Sequence, residues 1–330
     1  MLFLNKKRKN IKNMLTCLLH HPAIKEKKHE ENIINIFVGW DKEHKNIVED
    51  VITVSPEFPT LNISSLSLEL TSSDTLVREI ECCDLYVFFY LSSTLKPFKS
   101  SGPEFLSAIR KVMRENWRKS VLFKDYSEHF YEAFSEELNV IKDRNNILIN
   151  LANNSKKVIY QQNDEHILTA TFSEKQSWTS IDGIGNYDLT PGEIATKLHN
   201  LEGSISFSGA FLSTIPFAIK YGVVSDFFNL TIKNSKIIDF TCQCTEFSKD
   251  FDKYLSANSS NSTIEEFGIG TNCGVERLYG LNAGFEERHP GLHLGLGGGE
   301  VGSHHLDLIF QGGKLFFDNI IVLDNNKFII

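Results

Sequence analysis

The chain has 330 residues, of which 41% are hydrophobic and 23% are charged, and its mean hydropathy is −0.18. This composition is typical of a globular protein and excludes disorder as the main state. The formal net charge of −8 argues against nucleic acid as the main partner, because phosphate binding favours a basic surface. The length predicts two domains.

The N-terminus carries a basic run, KKRK at 6–9, followed by the short apolar patch MLTCLL at 14–19. The patch is too short for a signal peptide, and no stretch approaches the ~20 apolar residues of a membrane helix. The six cysteines form no CxxC pair, which indicates reduced thiols. We therefore predict a cytoplasmic protein that does not bind membranes, with a basic, flexible segment over residues 1–30.

Residues 31–153 show the alternating pattern of an α/β domain. Nearly continuous apolar runs predict buried strands at IINIFVGW (33–40), DLYVFFY (84–90) and SVLFKDY (120–126), with a further strand at EDVITVS (49–55). A helix is predicted to begin at Pro103, since proline is favoured in the first turn. A second helix is predicted from about Ser127, with apolar residues on one stripe as far as Ile141.

Residues 154–330 predict a mostly antiparallel sheet, so that the whole chain is α/β followed by α+β. The boundary is predicted near Asn153-Asn154-Ser155, in a short polar run. Strands are predicted at 158–160, 166–172 and 204–211, and a hairpin at 230–240 with Asn234-Ser235 at its turn. One helix is predicted at 246–256, followed by strands separated by Gly312-Gly313 and by Asp324-Asn325-Asn326.

A glycine-rich loop at 297–302, GGGEVG, matches the GxGxxG pattern of dinucleotide-binding loops. That site requires a helix directly after the loop, with the phosphates at the helix N-terminus. Here SHHLDLIF follows, which predicts a strand, and a glutamate within the loop would repel phosphate. The glycines indicate a tight loop rather than a nucleotide site.

The residues around this loop favour a metal site. His305 and Asp307 lie two apart, so on a strand their side chains would point to one face. His293 lies twelve residues upstream across a predicted hairpin, and Glu287 precedes it by six. These nitrogen and oxygen donors suit zinc, manganese, cobalt or ferrous iron. Any one of these residues alone is as well explained as a hydrogen-bonded surface group.

The second half also resembles peptidase family M29, the thermophilic-type metallo-aminopeptidases, over about residues 150–310. Four blocks carry the resemblance, the second and third being the most specific. They are DGIGNYDLTPGEIATKLHNLEGSISFSGAF (182–211), EFGIGTN (266–272), FEERHPGLHLGLG (285–297) and SHHLDLI (303–309).

The resemblance implies a hydrolase that cleaves an N-terminal residue or amide of a small peptide-like substrate, with one or two zinc, cobalt or manganese ions activating water. It also implies a homodimer. The implied metal ligands are Glu193, Glu266, Glu287, His293, His305 and Asp307. Glu266 is in addition a candidate general base.

Two departures from the family pattern concern the loop after His293. Glu300 stands where the family has a tyrosine, and the loop between His293 and His305 is shorter. His289 and His304 are extra imidazoles nearby. We treat Glu300 and His289 as further candidate catalytic residues.

Two other functions remain open. The 2,5-dihydroxypyridine dioxygenases resemble the same family, and His293, His305 and Asp307 match their ferrous iron ligand set. Alternatively, the chain is a derivative used as a biosynthetic enzyme or as a non-catalytic binding module. The presence of all three glutamates of the implied ligand set, Glu193, Glu266 and Glu287, favours the hydrolase.

Overall fold

The computed structural model describes residues 2–27, 33–92, 103–173, 176–214 and 217–330. The helices are α1 (Leu2–Leu19), α2 (Pro22–Lys27), α3 (Lys45–Val54), α4 (Ser73–Cys82), α5 (Glu104–Glu115), α6 (Phe130–Ala133), α7 (Leu138–Asn153), α8 (Phe217–Tyr221) and α9 (Thr245–Ala257). The strands are β1 (Ile34–Trp40), β2 (Leu61–Ser67), β3 (Leu85–Tyr90), β4 (Ser120–Lys124), β5 (Lys157–Gln161), β6 (Ile167–Thr171), β7 (Thr179–Ile181), β8 (Glu193–Thr196), β9 (Asn200–Ser213), β10 (Val223–Lys233), β11 (Lys236–Cys242), β12 (Ile264–Gly270), β13 (Gly291–Leu296), β14 (Leu306–Phe310), β15 (Lys314–Phe317), β16 (Ile320–Asp324) and β17 (Lys327–Phe328).

The chain divides into two compact units that alternate along the sequence. The first comprises Met1–Leu138, Ile181–Pro191 and Ala283–Phe285, and the second comprises Asn139–Ser180, Gly192–Asn282 and Glu286–Ile330. The first division therefore falls before the predicted boundary at Asn153. Helix α7 contributes Leu148 and Ala152 to the core of the second unit, which explains why it belongs there.

The first unit contains a parallel four-stranded sheet with the strand order β2-β1-β3-β4, in agreement with the predicted α/β class. Every residue of β3 is buried. Tyr86 and Phe88 pack on one face with residues of α4 and α5. Phe89 points to the opposite face, where its ring lies 4.7 Å from Phe123 and 5.3 Å from Phe130 of α6. Strand β3 is thus covered on both faces, as its unbroken apolar run predicts.

Two predicted elements of this unit are different in the structure. Residues 45–54 form helix α3 rather than a strand, because Ile47, Val51 and Val54 recur at helical spacing and are buried. The single helix predicted from Ser127 is broken between α6 and α7, so its apolar stripe belongs to two elements.

The predicted flexible N-terminal tail is helical up to Leu19, and only residues 1 and 28–30 of the segment lie outside the described residues. Ile11, Met14, Leu15 and Leu18 form its buried face. The basic run lies on the exposed side, where Arg8 pairs with Glu57 at 2.8 Å. The charges therefore mark one face of an amphipathic helix.

His21, between α1 and α2, is fully buried and provides a pH test of this region. Its Nδ1 accepts a hydrogen bond from the Ala23 amide, so the ring is neutral. Burial lowers the pKa of His21 from 6.5 to about 4. The unfolded chain therefore binds the proton first, and stability present above pH 6.5 is lost as the pH falls toward 4.

We expect the free energy of unfolding to fall by about 2 kcal/mol more between pH 7.5 and pH 5 in the native sequence than in His21→Asn. Urea titrations at the two pH values measure this difference. The exposed neighbour His20 provides the control, since His20→Asn should keep the native pH dependence. An equal fall in the free energy of unfolding between the two pH values in the native chain and in His21→Asn would contradict the lowered pKa of His21.

The second unit contains a large, mostly antiparallel sheet in the order β17-β16-β15-β5-β6-β9-β14-β13-β12-β8-β7, with β10 and β11 added beside β9. The predicted hairpin is confirmed, with Asn234 and Ser235 at positive φ in the turn. Strand β14 follows the glycine loop, so this loop precedes no helix. Among the described residues, no helix has both the length and the apolarity that a membrane span requires.

Candidate metal centre

Neighbouring strands of the second unit carry three of the predicted ligands. Glu193 is the first residue of β8, Glu266 lies on β12 and His293 lies on β13. Strand β12 pairs with both neighbours, placing Gly268 opposite His293 and Gly270 opposite Glu193. Opposite residues of an antiparallel pair, and residues two apart on one strand, point to the same face. The three side chains therefore share one face of the sheet.

His293 lies between the two carboxylates. Its Nε2 is 3.1 Å from Oε1 of Glu193 and 3.5 Å from Oε1 of Glu266. One ligand atom of each residue falls within 4.8 Å of the others. Glu193 and His293 are buried, whereas the Glu266 side chain is 36% exposed. Solvent thus reaches the group through Glu266.

Two glycines of the quoted motifs create space for these side chains. A methyl group at Gly268 would overlap the imidazole ring of His293. Gly192, directly before Glu193, has φ +119 and its Cβ position would lie 2.8 Å from the Asn272 amide nitrogen. The PGE and EFGIGTN motifs therefore fit together through close backbone approach, which only glycine permits here.

Arg288 is a buried cation beside these three side chains. Its side chain is 0% exposed, and its Nη1 pairs closely with Oε2 of Glu193. The same Nη1 lies 3.1 Å from Oε2 of Glu287. Glu287 thus meets a guanidinium rather than joining the group of three ligand atoms. Arg288 therefore neutralises part of the charge of two predicted metal ligands.

His305 and Asp307 form a pair at the side of the group. His305 Nε2 lies 2.8 Å from Oδ1 of Asp307, which is buried. The Asp307 carboxylate raises the pKa of His305 to about 9. Both residues and Glu266 surround the Cβ position of Gly295, so the pair adjoins the Glu266 carboxylate.

The hydrogen bond from His293 lowers the pKa of Glu266. Burial acts in the opposite direction, and the electrostatic influence of the imidazoles of His293 and His305 lowers the pKa further. Glu266 is therefore an ionised carboxylate near neutral pH.

The other two candidate catalytic residues have separate partners. His289 is buried, and its Nδ1 lies 2.7 Å from the Val275 carbonyl oxygen. Burial lowers the pKa of His289, so the neutral ring donates this hydrogen bond. Glu300 is exposed, and its Oε2 accepts a hydrogen bond from Oγ of Ser259. Both residues are held by bonds that stabilise loops.

Asn145 supports the site, although the sequence pattern does not indicate it. Its amide group donates to the carbonyl oxygen of Glu193 at 3.1 Å. Its Oδ1 accepts from Oγ1 of Thr271 at 2.6 Å. One buried side chain therefore connects β8 to the segment after β12. The sequence signal for this role is the position of Asn145 on the otherwise apolar buried stripe of α7, with Ile141, Leu148 and Ala152.

The donor set fits a divalent cation. Two carboxylates and one imidazole are the donors that zinc, manganese, cobalt and ferrous iron accept. The separation of at most 4.8 Å is near what two ligands on opposite sides of one ion with ~2.1 Å bonds require. Nδ1 of His293 is buried and has no hydrogen-bond partner among the described residues, so the ring depends on Nε2 for its polar contacts.

Two solved structures share the fold of this chain. Wild-type AmpT from Thermus thermophilus, an M29 aminopeptidase, superposes with a TM-score of 0.60 at 11% identity, covering 98% of this chain and 100% of that one. The 2,5-dihydroxypyridine dioxygenase from Pseudomonas putida KT2440 superposes with a TM-score of 0.58 at 12% identity, covering 96% and 97%. The M29-like fold implied by the sequence motifs is therefore present.

Sequence comparison adds one match. A family model described as "Crocagin biosynthetic protein CgnE/B" matches residues 225–317, and no curated protein sequence matches the chain. The matched segment includes Glu266, Arg288, His293, His305 and Asp307, but not Glu193. The chain thus combines a fold similar to that of AmpT with a segment similar to the CgnE/B family.

Proposed function

We propose that the chain is a divalent metal-dependent hydrolase that acts on a small peptide-like substrate. Glu193, Glu266 and His293 would hold the ion. The observation that supports this proposal most directly is the convergence of their ligand atoms on one sheet face. A bound divalent ion at such a site supplies Lewis acidity and lowers the pKa of water.

The residues of the chain have distinct tasks in this proposal. Arg288 holds Glu193 through Oε2, which leaves Oε1 directed to His293. Glu266 is ionised and partly exposed, so its Oε2 can accept a proton from water or substrate. His305 is 39% exposed beside Glu266, and its ring pairs with Asp307, so it can supply positive charge next to a substrate carbonyl oxygen. Every residue of β13 and β14 is buried, so solvent reaches the group from the side of Glu266 and His305.

The test is metal binding and turnover in two histidine variants. We expect the native chain to bind zinc, cobalt or manganese and to hydrolyse aminoacyl amides, because its donors converge. His293→Ala removes the central donor and should lower metal affinity by at least about 100-fold, since even outer partners of a metal ligand contribute 10–100-fold. Calorimetric titration and amide hydrolysis measure the two effects. His304→Ala is the matched control, because His304 is an exposed imidazole outside the group.

Absence of divalent metal binding by the native chain would contradict the proposal. Oxygen uptake by the ferrous protein with a dihydroxylated aromatic, without amide hydrolysis, would favour the dioxygenase instead.

A specific observation favours a second candidate, a biosynthetic enzyme or binding module. The family model over 225–317 is described as biosynthetic, and Arg288 occupies two of the predicted ligands. This candidate predicts that peptide binding persists in His293→Ala. The homodimer and the cytoplasmic location implied earlier stay predictions.

A further inference from the structure

Arg288 is the only arginine among the largest fully buried side chains of the described residues, and its Nη1 pairs with two carboxylates. Arginine keeps its charge in proteins, so a buried guanidinium must be matched by negative charge. Glu193 and Glu287 provide that charge. The arrangement therefore resembles a cation held by two carboxylate ligands, with the cation supplied by the chain.

The contacts divide the carboxylate oxygens between two positions. Glu193 directs Oε1 to His293 and Oε2 to Arg288. Glu287 directs Oε2 to Arg288. A metal ion at the position of the guanidinium would need these same oxygens. Arg288 and an ion at that position therefore exclude each other.

The charges point to the same conclusion. Glu193, Glu266 and Glu287 carry three negative charges and Arg288 carries one positive charge, which leaves a net charge of minus two. One divalent ion beside His293 neutralises this set. A second ion would leave an excess of positive charge among buried groups, which is costly.

We infer that Arg288 takes the place of a second cation, so that the centre binds one divalent ion where its six predicted ligands would suffice for two. This inference rests on the proposed metal-dependent function. It also assigns Glu287 to Arg288 rather than to a metal ion.

The experiment is the stoichiometry of Zn²⁺ and Mn²⁺ binding to the full chain, measured by calorimetry and by metal content after dialysis. We expect one ion per native chain. Arg288→Met frees Oε2 of both glutamates and should bind two ions. Arg288→Lys keeps a cation and should still bind one. Arg288→Met/Glu287→Gln should again bind one ion, because the second position then lacks the Glu287 carboxylate.

Two ions in the native chain, or one ion in a folded Arg288→Met variant, would overturn the inference while the metal-dependent function stands. If the native chain binds none, the proposed function fails. In that case, metal binding by Arg288→Met would still support the role of Arg288 as a substitute cation. If Arg288→Met also binds no ion, the proposed function and the inference about Arg288 are both overturned. If Arg288→Met does not fold, the metal stoichiometries of the native chain and of Glu287→Gln decide. One ion in each supports the inference, and two ions in either one overturns it.

Discussion

Arg288→Met is expected to lower the free energy of unfolding of the metal-free protein by about 3–5 kcal/mol. The substitution leaves Glu193 and Glu287 beside each other without the buried guanidinium that pairs with both. Removal of one partner from a buried ion pair is costly because the remaining charge stays desolvated. Urea titration in the presence of a chelator measures the loss.

Two further variants test the cause of this loss. In Arg288→Met/Glu193→Gln/Glu287→Gln the unpaired charges are gone, and we expect most of the lost stability to return, since neutral replacement of a whole buried cluster is often tolerated. Arg277→Met is the control, because Arg277 is exposed and should change stability by less than about 0.5 kcal/mol. A loss below about 1 kcal/mol in Arg288→Met would show that the guanidinium is not needed as a counter-charge.

Gly268→Ala is expected to lower affinity for a divalent ion by at least about 100-fold, as large an effect as loss of a supporting partner. The added methyl group would overlap the ring of His293, which is fully buried, so the ring would have to leave its position. Overpacking of a buried site also costs about 1–3 kcal/mol of stability. Metal titration and urea titration together separate the two effects.

Gly284→Ala is the matched control for that variant. Its methyl group would lie 3.6 Å from Oη of Tyr126, an ordinary contact, so metal affinity should remain native. Native affinity in Gly268→Ala would mean that His293 is not a ligand, because the ring cannot keep its position beside the new methyl group.

The apolar runs predicted the strands well, because their burial depends on local composition. Strands β1, β3 and β4 lie where the sequence places them, and the turn residues at Asn234-Ser235 fixed the β10–β11 hairpin. The residues of helix α3 predict a strand because β-branched residues favour strands locally, whereas tertiary packing uses their helical spacing. Helix α1 is hard to predict because the charges of its basic run obscure the recurrence of its apolar residues.

The motifs singled out Glu193, Glu266 and His293, whose side chains the structure brings together on one sheet face because the three blocks form paired strands. They did not indicate Arg288, which follows Glu287 in a polar run that is typical of an exposed turn. In the structure Arg288 is the last residue of the short helix Gly284–Arg288, and its side chain is fully buried. Such burial depends on the fold and has no period in the sequence.

The central position of the site strands has a kinetic consequence. Strands β12, β13 and β14 each have a hydrogen-bonded neighbour on both sides, while β7 and β17 form the edges of this sheet path. Fraying begins at edges and termini, and amide hydrogens of central strands exchange with solvent mainly when the whole unit opens. The side chains of Glu266 and His293, on β12 and β13, are therefore attached to the slowest-exchanging part of the sheet. For the proposed metal ion, we expect release to depend on solvent access at the Glu266 side chain and to require no unfolding of the sheet.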